Sequence, residues 1–325
     1  MLTAGPPPPG RGFAGVCHGT LGELYQGPLR SGPDPDIAVV SFPVDRYSWV
    51  YFTPDAAPPP GSPAPVPSAP ASPPRTEALP VPAPEAVTGP RPGPLGEKTR
   101  HAVRLLLERT GRALPPGRLS AYSELTVGAG MASSTADIVA ALRCLFRVLS
   151  LPEDPAAVRD VLAAIERADS VFLDEFALHL SARHTVVRRL GTGVVFHTAY
   201  VTEPGTVDTA STTPVLLRHY RRRGDEYERC LTDLLKGFST RDAPAVARAA
   251  TASAVLSQEV LPKHTFAAVL AHRDEFGADG VFVAHTGSLV GYLFARRPAP
   301  SLRGELSAFF RSLGHQCSFA QGGLA

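Results

Sequence analysis

A chain of 325 residues is long enough for one large domain or two modest ones, and its net charge of +2 supplies no field that would draw it to nucleic acid or to anionic lipid. Its four cysteines, Cys17, Cys144, Cys230 and Cys317, are scattered and form no CxxC pair, which excludes a zinc-ribbon spacing and a disulfide framework and points to a reduced, cytoplasmic protein. The first residues carry no basic-then-apolar leader, and no apolar run reaches the ~18 residues needed to cross a bilayer, so neither export nor a membrane partner is expected.

In chain order, the runs FAGVCHG (13–19), DIAVVSFPV (36–44) and YSWVYFT (47–53) are rich in β-branched and aromatic residues and predict strands. Residues 54–94 are so rich in proline that helix and inner sheet are excluded; they read as a solvated, partly polyproline-II insertion. Residues 96–111 predict a helix on Val103, Leu106 and Leu107, with Gly111 as its stop. RLSAYSEL (118–125) predicts a strand. Residues 150–170 predict a helix with Asp154 as N-cap, Pro155 in its first turn and an apolar face of Val158, Val161, Leu162 and Ile165. Beyond it, strands are expected at 191–201, 280–287, 289–295 and 315–320, and helices at 225–237, 243–260, 265–276 and 302–313. The basic run RHYRRRGDEYER (218–229) has acids beside it and no interleaved aromatic platform, so it reads as the solvated start of a helix, with no nucleic acid as partner. Mixed elements without a regular βαβα rhythm predict an α+β protein, with a boundary near residue 185.

The stretch ELTVGAGMASSTADIVAALRCLF (124–146) runs from a strand through a glycine-rich turn into an amphipathic helix. Gly128 and Gly130 permit close approach of backbone, and Ser133, Ser134 and Thr135 stand where the first helical N–H groups lack internal partners. Such amides suit a phosphate. Ser134-Thr135-Ala136-Asp137 also fits a capping box, which needs no ligand. The pattern is neither a Walker A loop nor a dinucleotide fingerprint, since no Gly-Lys-Ser/Thr follows and the third glycine is replaced by Ser133.

TVGAGMASSTA resembles the phosphate loop of the GHMP kinases, the superfamily of galactokinase, homoserine kinase, mevalonate kinase and phosphomevalonate kinase. CHGTLGELYQG (17–27) with SFPVDRYS (41–48) resembles the first motif of one branch, the bacterial L-threonine kinases of cobalamin synthesis, and VFVAHTGSLVGYLF (281–294) is similar to its third motif. Glu166-Arg167-Ala168-Asp169-Ser170 stands where that branch has Glu-Pro-Thr-Asp-Ser. His18 and Thr126 depart from prolines of the branch pattern, and the proline-rich insertion has no counterpart in it.

The resemblance implies a two-domain GHMP kinase fold: an N-terminal ATP-binding domain over 1–184, of ribosomal-protein-like α/β type, and a ferredoxin-like C-terminal domain over 185–325. It implies ATP as donor, Mg2+ as counter-ion and a small amino acid or amino alcohol as acceptor. Gly128, Ala129, Gly130, Met131, Ala132, Ser133, Ser134 and Thr135 would cradle the phosphates, and Ser134 and Glu166 would hold the metal. Asp169 would act on the acceptor hydroxyl, with Asp174 in reserve for either acidic role. Glu166 and Asp169, three apart, are expected on one face near a helix end. Glu23 or Asp45 would meet an ammonium group, His285 and Thr286 would lie in a turn lining the site, and Cys17 is read as a packed strand residue. A homodimer is compatible with the sequence. A non-catalytic, nucleotide-binding regulator using the insertion as a contact surface is the reading from another class.

Overall fold

The computed structural model describes residues 12–30, 35–55, 93–205 and 209–325. In chain order the elements are β1 (Phe13–Arg30), β2 (Pro35–Pro54), α1 (Glu97–Thr110), β3 (Gly117–Ser123), α2 (Ser133–Val148), α3 (Pro155–Ala163), β4 (Phe176–Leu180), β5 (Thr185–Gly191), β6 (Val194–Thr202), α4 (Thr209–Arg222), α5 (Gly224–Thr240), α6 (Ala243–Ser257), α7 (Phe266–Ala271), β7 (Gly280–Val283), β8 (Leu289–Phe294), α8 (Pro300–Ser312) and β9 (Ser318–Leu324). Residues 56–92 of the proline-rich insertion lie outside the described residues. Among the described residues no helix is long and apolar enough to cross a membrane.

β1 and β2 form a long antiparallel pair, with Phe13 opposite Phe52 and Leu29 opposite Asp36. The two predicted runs at 36–44 and 47–53 are thus one strand. Its register against β1 shifts between His18 and Gly19, between Thr20 and Glu23, and between Glu23 and Tyr25. Such irregularities bend a strand pair and re-aim side chains. On one side of the bend β3 joins β2, where Trp49 stacks on its cross-strand partner Tyr122 at 5.1 Å. On the other, β4 joins β2 and carries β5. β7 meets β1 at Glu23 and β9 meets β2 at Val44, with β8 and β6 between them, so the pairing path closes through β1 and β2.

Helix boundaries follow local chemistry. Asp154 accepts hydrogen bonds from the amides of Ala156 (2.9 Å) and Ala157 (3.2 Å) and caps α3, as expected. Gly111 takes the left-handed conformation at φ 61° and ends α1. α2 packs on β1 and β2 through the buried Ile138, Leu142 and Leu145, and α6 packs on β1 and β7. A second apolar cluster, including Val281, Val290 and Tyr292, is covered by α7 and α8 through Phe266, Val269, Leu306 and Phe310.

Three features depart from the sequence reading. The helix predicted over 265–276 is confined to Phe266–Ala271. β4, β5 and residues 209–217 of α4 lie in stretches without an expected element, and the run 218–229, expected as the solvated start of a helix, instead ends α4 with His219 and Tyr220 buried and opens α5; in β4 successive residues are all buried and no alternation is visible. The helix expected to reach Asp169 stops at Ala163. One last α-type bond runs from the Glu166 amide to the Leu162 carbonyl (2.9 Å), and the chain then continues without regular structure. Ala168, Val171, Phe172 and Leu173 are all buried within six residues. A helical spacing would turn some of them to solvent, so the segment leaves the helix to bury them.

Candidate active site

The glycine-rich turn is clamped from two sides. The Gly22 amide donates to the Gly130 carbonyl (3.1 Å) and the Thr20 amide to the Met131 carbonyl (3.1 Å). From the turn after β7 the Ser288 amide donates to the Ala129 carbonyl (3.0 Å). Three consecutive carbonyls of the turn are therefore engaged by β1 and by the turn after β7. Gly130 has φ 92°, and a Cβ there would stand 2.6 Å from the Ala284 Cβ. Gly22, at φ 75°, faces the same alanine, with a hypothetical Cβ 2.4 Å from its Cα. The three motifs read separately in the sequence thus meet at Gly22, Gly130 and Ala284.

The capping box is not formed. The residue before α2 is Ala132, at φ 52°, and no side chain caps the helix. Asp137 instead receives the Ser48 hydroxyl, while Ser134 donates to Glu166 Oε2 (3.0 Å) and Thr135 to Glu166 Oε1 (2.8 Å). The first α-type bond of α2 is Ala136 to Ala132. Among the described residues the amides of Ser133, Ser134 and Thr135 find no acceptor. Outward-facing, uncapped amides at a helix start fit an anion such as a phosphate group.

Glu23 lies at the bend of β1 with 7% of its surface exposed. Its Oε2 accepts from the His285 amide (2.9 Å) and from His285 Nδ1 (3.0 Å). With Nδ1 donating to the carboxylate, Nε2 accepts from the Ser253 hydroxyl at 3.1 Å. His285 therefore sits behind Glu23 and orients it, and it is Thr286 that borders the open space. Lys263, 8% exposed, donates to the His285 carbonyl at 3.5 Å, and burial lowers its pKa against the pull of Glu23 and Glu203.

Asp169 accepts the Ser41 hydroxyl on Oδ1 (3.1 Å). Burial, reinforced by the neighbouring Glu23 carboxylate and opposed by the Ser41 bond, pushes its pKa up to about 7. Glu166 points instead toward α2, where it also pairs with Lys98 from α1. The two acids thus leave an irregular segment in different directions, one toward the helix start and one toward Glu23.

A cavity of about 160 Å3 opens beside Asp169 and Glu23. Glu23, Gln26, Arg167, Asp169, Ser181, Thr213 and Thr286 supply its polar wall, and Ile37, Val39, Ala168 and Leu216 its apolar one. Drug-sized ligands occupy roughly 300–1,000 Å3, so this space suits a small polar metabolite.

Of the residues expected at the site, Glu23, Asp169 and Thr286 share this cavity, and Ser134 shares the helix start with Glu166. Asp45 does not join them. It accepts from the Gln321 amide (3.0 Å) and pairs with Arg46, bordering a separate cleft with His197, Arg297 and Arg303. Asp174 also lies apart, 79% exposed and paired with Arg143 at 3.5 Å. Cys17 is packed as expected, donating to the Val171 carbonyl at 3.3 Å with its thiol pKa raised to about 12 by burial.

The sequence reading passed over Ser41, Lys98, Arg167, Ser253 and Lys263. Ser41 and Arg167 lay inside quoted motifs and carried that signal alone. Ser253 and Lys263 come from helical and loop segments whose periodicity marks only packing.

Comparison with known proteins bears on the fold. Residues 97–174 match the GHMP kinases N terminal domain. A mevalonate kinase from L. major in complex with R-mevalonate superposes with a TM-score of 0.62 at 12% identity, covering 95% of each chain. A homoserine kinase from Cytophaga hutchinsonii gives 0.60 at 12% identity, covering 98% of this chain and 96% of its own. The protein has the GHMP kinase fold. In sequence it is 28% identical over 206 residues to the L-threonine kinase of Salmonella typhimurium, a match covering 58% of this chain and 64% of the relative, just under two thirds of its length.

Proposed function

We propose that the protein is an ATP-dependent kinase that phosphorylates the side-chain hydroxyl of L-threonine, giving L-threonine O-3-phosphate. The observation that carries this reading is the convergence of uncapped helix amides, Glu166 and the Asp169 cavity, with the sequence likeness to L-threonine kinase behind it. The chain divides near residues 184 and 185 into an ATP-binding half and a C-terminal half.

The amides of 128–135 bind the donor phosphates, and the rigid clamp by β1 and the 284–288 turn fixes their position. Phosphoryl transfer asks a protein mainly for positioning and charge neutralisation. Among the described residues no group of three or more His, Cys, Asp or Glu side chains forms a metal cage. A single carboxylate beside phosphate oxygens is an ordinary Mg2+ donor set, and Glu166 with the Ser134 hydroxyl fits it. Bound there, the ion neutralises phosphate charge. Lys98 already pairs with Glu166 and keeps the carboxylate turned toward the helix start.

Asp169 accepts the acceptor's hydroxyl proton as the threonine oxygen bonds to the γ-phosphorus and the bond to the ADP oxygen breaks. Glu23, held by His285, attracts the α-ammonium. Ile37, Val39 and Leu216 receive the methyl group.

A coupled ADP-release assay with L-threonine, L-serine, L-homoserine and ethanolamine tests the reading. L-Threonine is expected to have the highest kcat/KM, with the missing methyl costing serine about 10-fold or more. A higher value for any of the other three refutes the acceptor assignment. Ser134→Ala is expected to fold, with a modest fall in melting temperature from the lost bond to Glu166 and none from the helix start, which Ser134 does not cap. Its turnover should fall about 10²-fold; full activity removes Ser134 from the mechanism.

A further inference from the structure

Arg167 is the cation on the wall of the acceptor cavity, and the proposed mechanism gives it no task. It stands where the resembled run has proline, between Glu166 and Asp169. Its Nη1 donates to Thr213 Oγ1 (3.0 Å) and its Nη2 to Ser181 Oγ (3.3 Å). Two hydroxyls from separate elements, α4 and the turn after β4, thus hold the guanidinium at the rim. No carboxylate of the described residues pairs with it. A guanidinium has five N–H donors in a planar fork, so most of its capacity is left for a planar anion. Across the same cavity stand two acids, Glu23 and Asp169. An acidic wall facing an arginine is complementary to a zwitterion.

We propose that Arg167 is a specificity-determining residue that binds the carboxylate of the acceptor, so that the site takes a free hydroxy-amino acid and discriminates against amino alcohols that lack the carboxylate. This rests on the kinase reading above and narrows its acceptor class. The small volume and the acid pair favour an α-amino acid over a phosphorylated alcohol, whose anion would need more room and a second cation.

The test compares acceptors that differ only in the anion: L-threonine against L-threoninamide, and glycerol 3-phosphate against glycerol. Each is assayed with wild type, Arg167→Met and Arg167→Lys. Wild type should favour L-threonine over its amide by about 10- to 100-fold in kcat/KM, the range of a charge-assisted pair. Arg167→Met should lose that preference through a KM raised far more for L-threonine than for the amide, and Arg167→Lys should restore part of it. A structural role would lower both acceptors together, and that result overturns the proposal. So does an acid-to-amide ratio that survives in Arg167→Met. An Arg167-dependent preference for glycerol 3-phosphate over L-threonine overturns the carboxylate assignment as well. If wild type releases ADP with none of the four, the threonine kinase reading fails, and the same pairs are compared by melting-temperature shift in the presence of ADP. Stabilisation by L-threonine over the amide in wild type but not in Arg167→Met then supports the carboxylate site, and equal shifts reject it.

Discussion

Asp169→Asn should lower turnover by about 10²- to 10⁴-fold, the range of a positioned general base, while raising stability at alkaline pH. The two effects have one origin. Burial and the Glu23 carboxylate lift the Asp169 pKa from 3.8 to about 7. Between those values the folded protein holds a proton that the unfolded chain has released. The stabilising contribution is thus complete below about pH 4 and is lost as pH rises through 7. Asparagine keeps an oxygen for Ser41 and carries no charge, so the variant should melt a few degrees above wild type at pH 8, with the gap closing toward pH 4. In kinetics, wild-type kcat/KM should rise with pH along a limb centred near 7. That limb reports the raised Asp169 carboxyl. The residual activity of the variant should be flat there. A variant that retains the limb, or that melts below wild type at pH 8, argues that Asp169 is neither the base nor a strained acid.

The second large effect is expected at Gly130. Alanine there would adopt φ 92°, at about 1–3 kcal/mol, and force a Cβ to 2.6 Å from Ala284, at a similar overpacking cost. Gly130→Ala should therefore lose about 2–6 kcal/mol and its affinity for nucleotide together, because the strain falls on the clamp that aims the amides. Gly111→Ala is the control: it also has positive φ, 61°, but nothing lies within 4 Å of the added carbon. It should cost about 1 kcal/mol and leave nucleotide affinity intact. Urea unfolding and ADP titration of both variants decide the matter. Equal losses in the two would mean that the junction of the three motifs has no special packing.

The sequence by itself determined the α+β class, the boundaries of α1, the start of α3, and the three motifs that meet at the candidate site. These are local matters. Asp154 before Pro155 caps a helix through its own neighbours, and Gly111 ends one through its own backbone freedom. The motif around Gly128 and Gly130 was legible for the same reason, since a turn into a helix is written in adjacent residues.

Tertiary structure decided what those segments do. Ser134 and Asp137 fit a capping box by spacing, yet Glu166 from the segment after α3 and Ser48 from β2 claim their side chains. Glu166 and Asp169 matched a helix face, yet four buried apolar residues pull the segment out of the helix and send the two acids to different neighbours. Asp45 and Glu23 were both candidates for an ammonium group, Glu23 the favoured one, and the bend in β1 brings only Glu23 to the cavity. Arg167 gains meaning only when α4 and the turn after β4 close around it. Contacts between separate elements of the chain leave no periodicity in either partner, so only the folded chain reveals them.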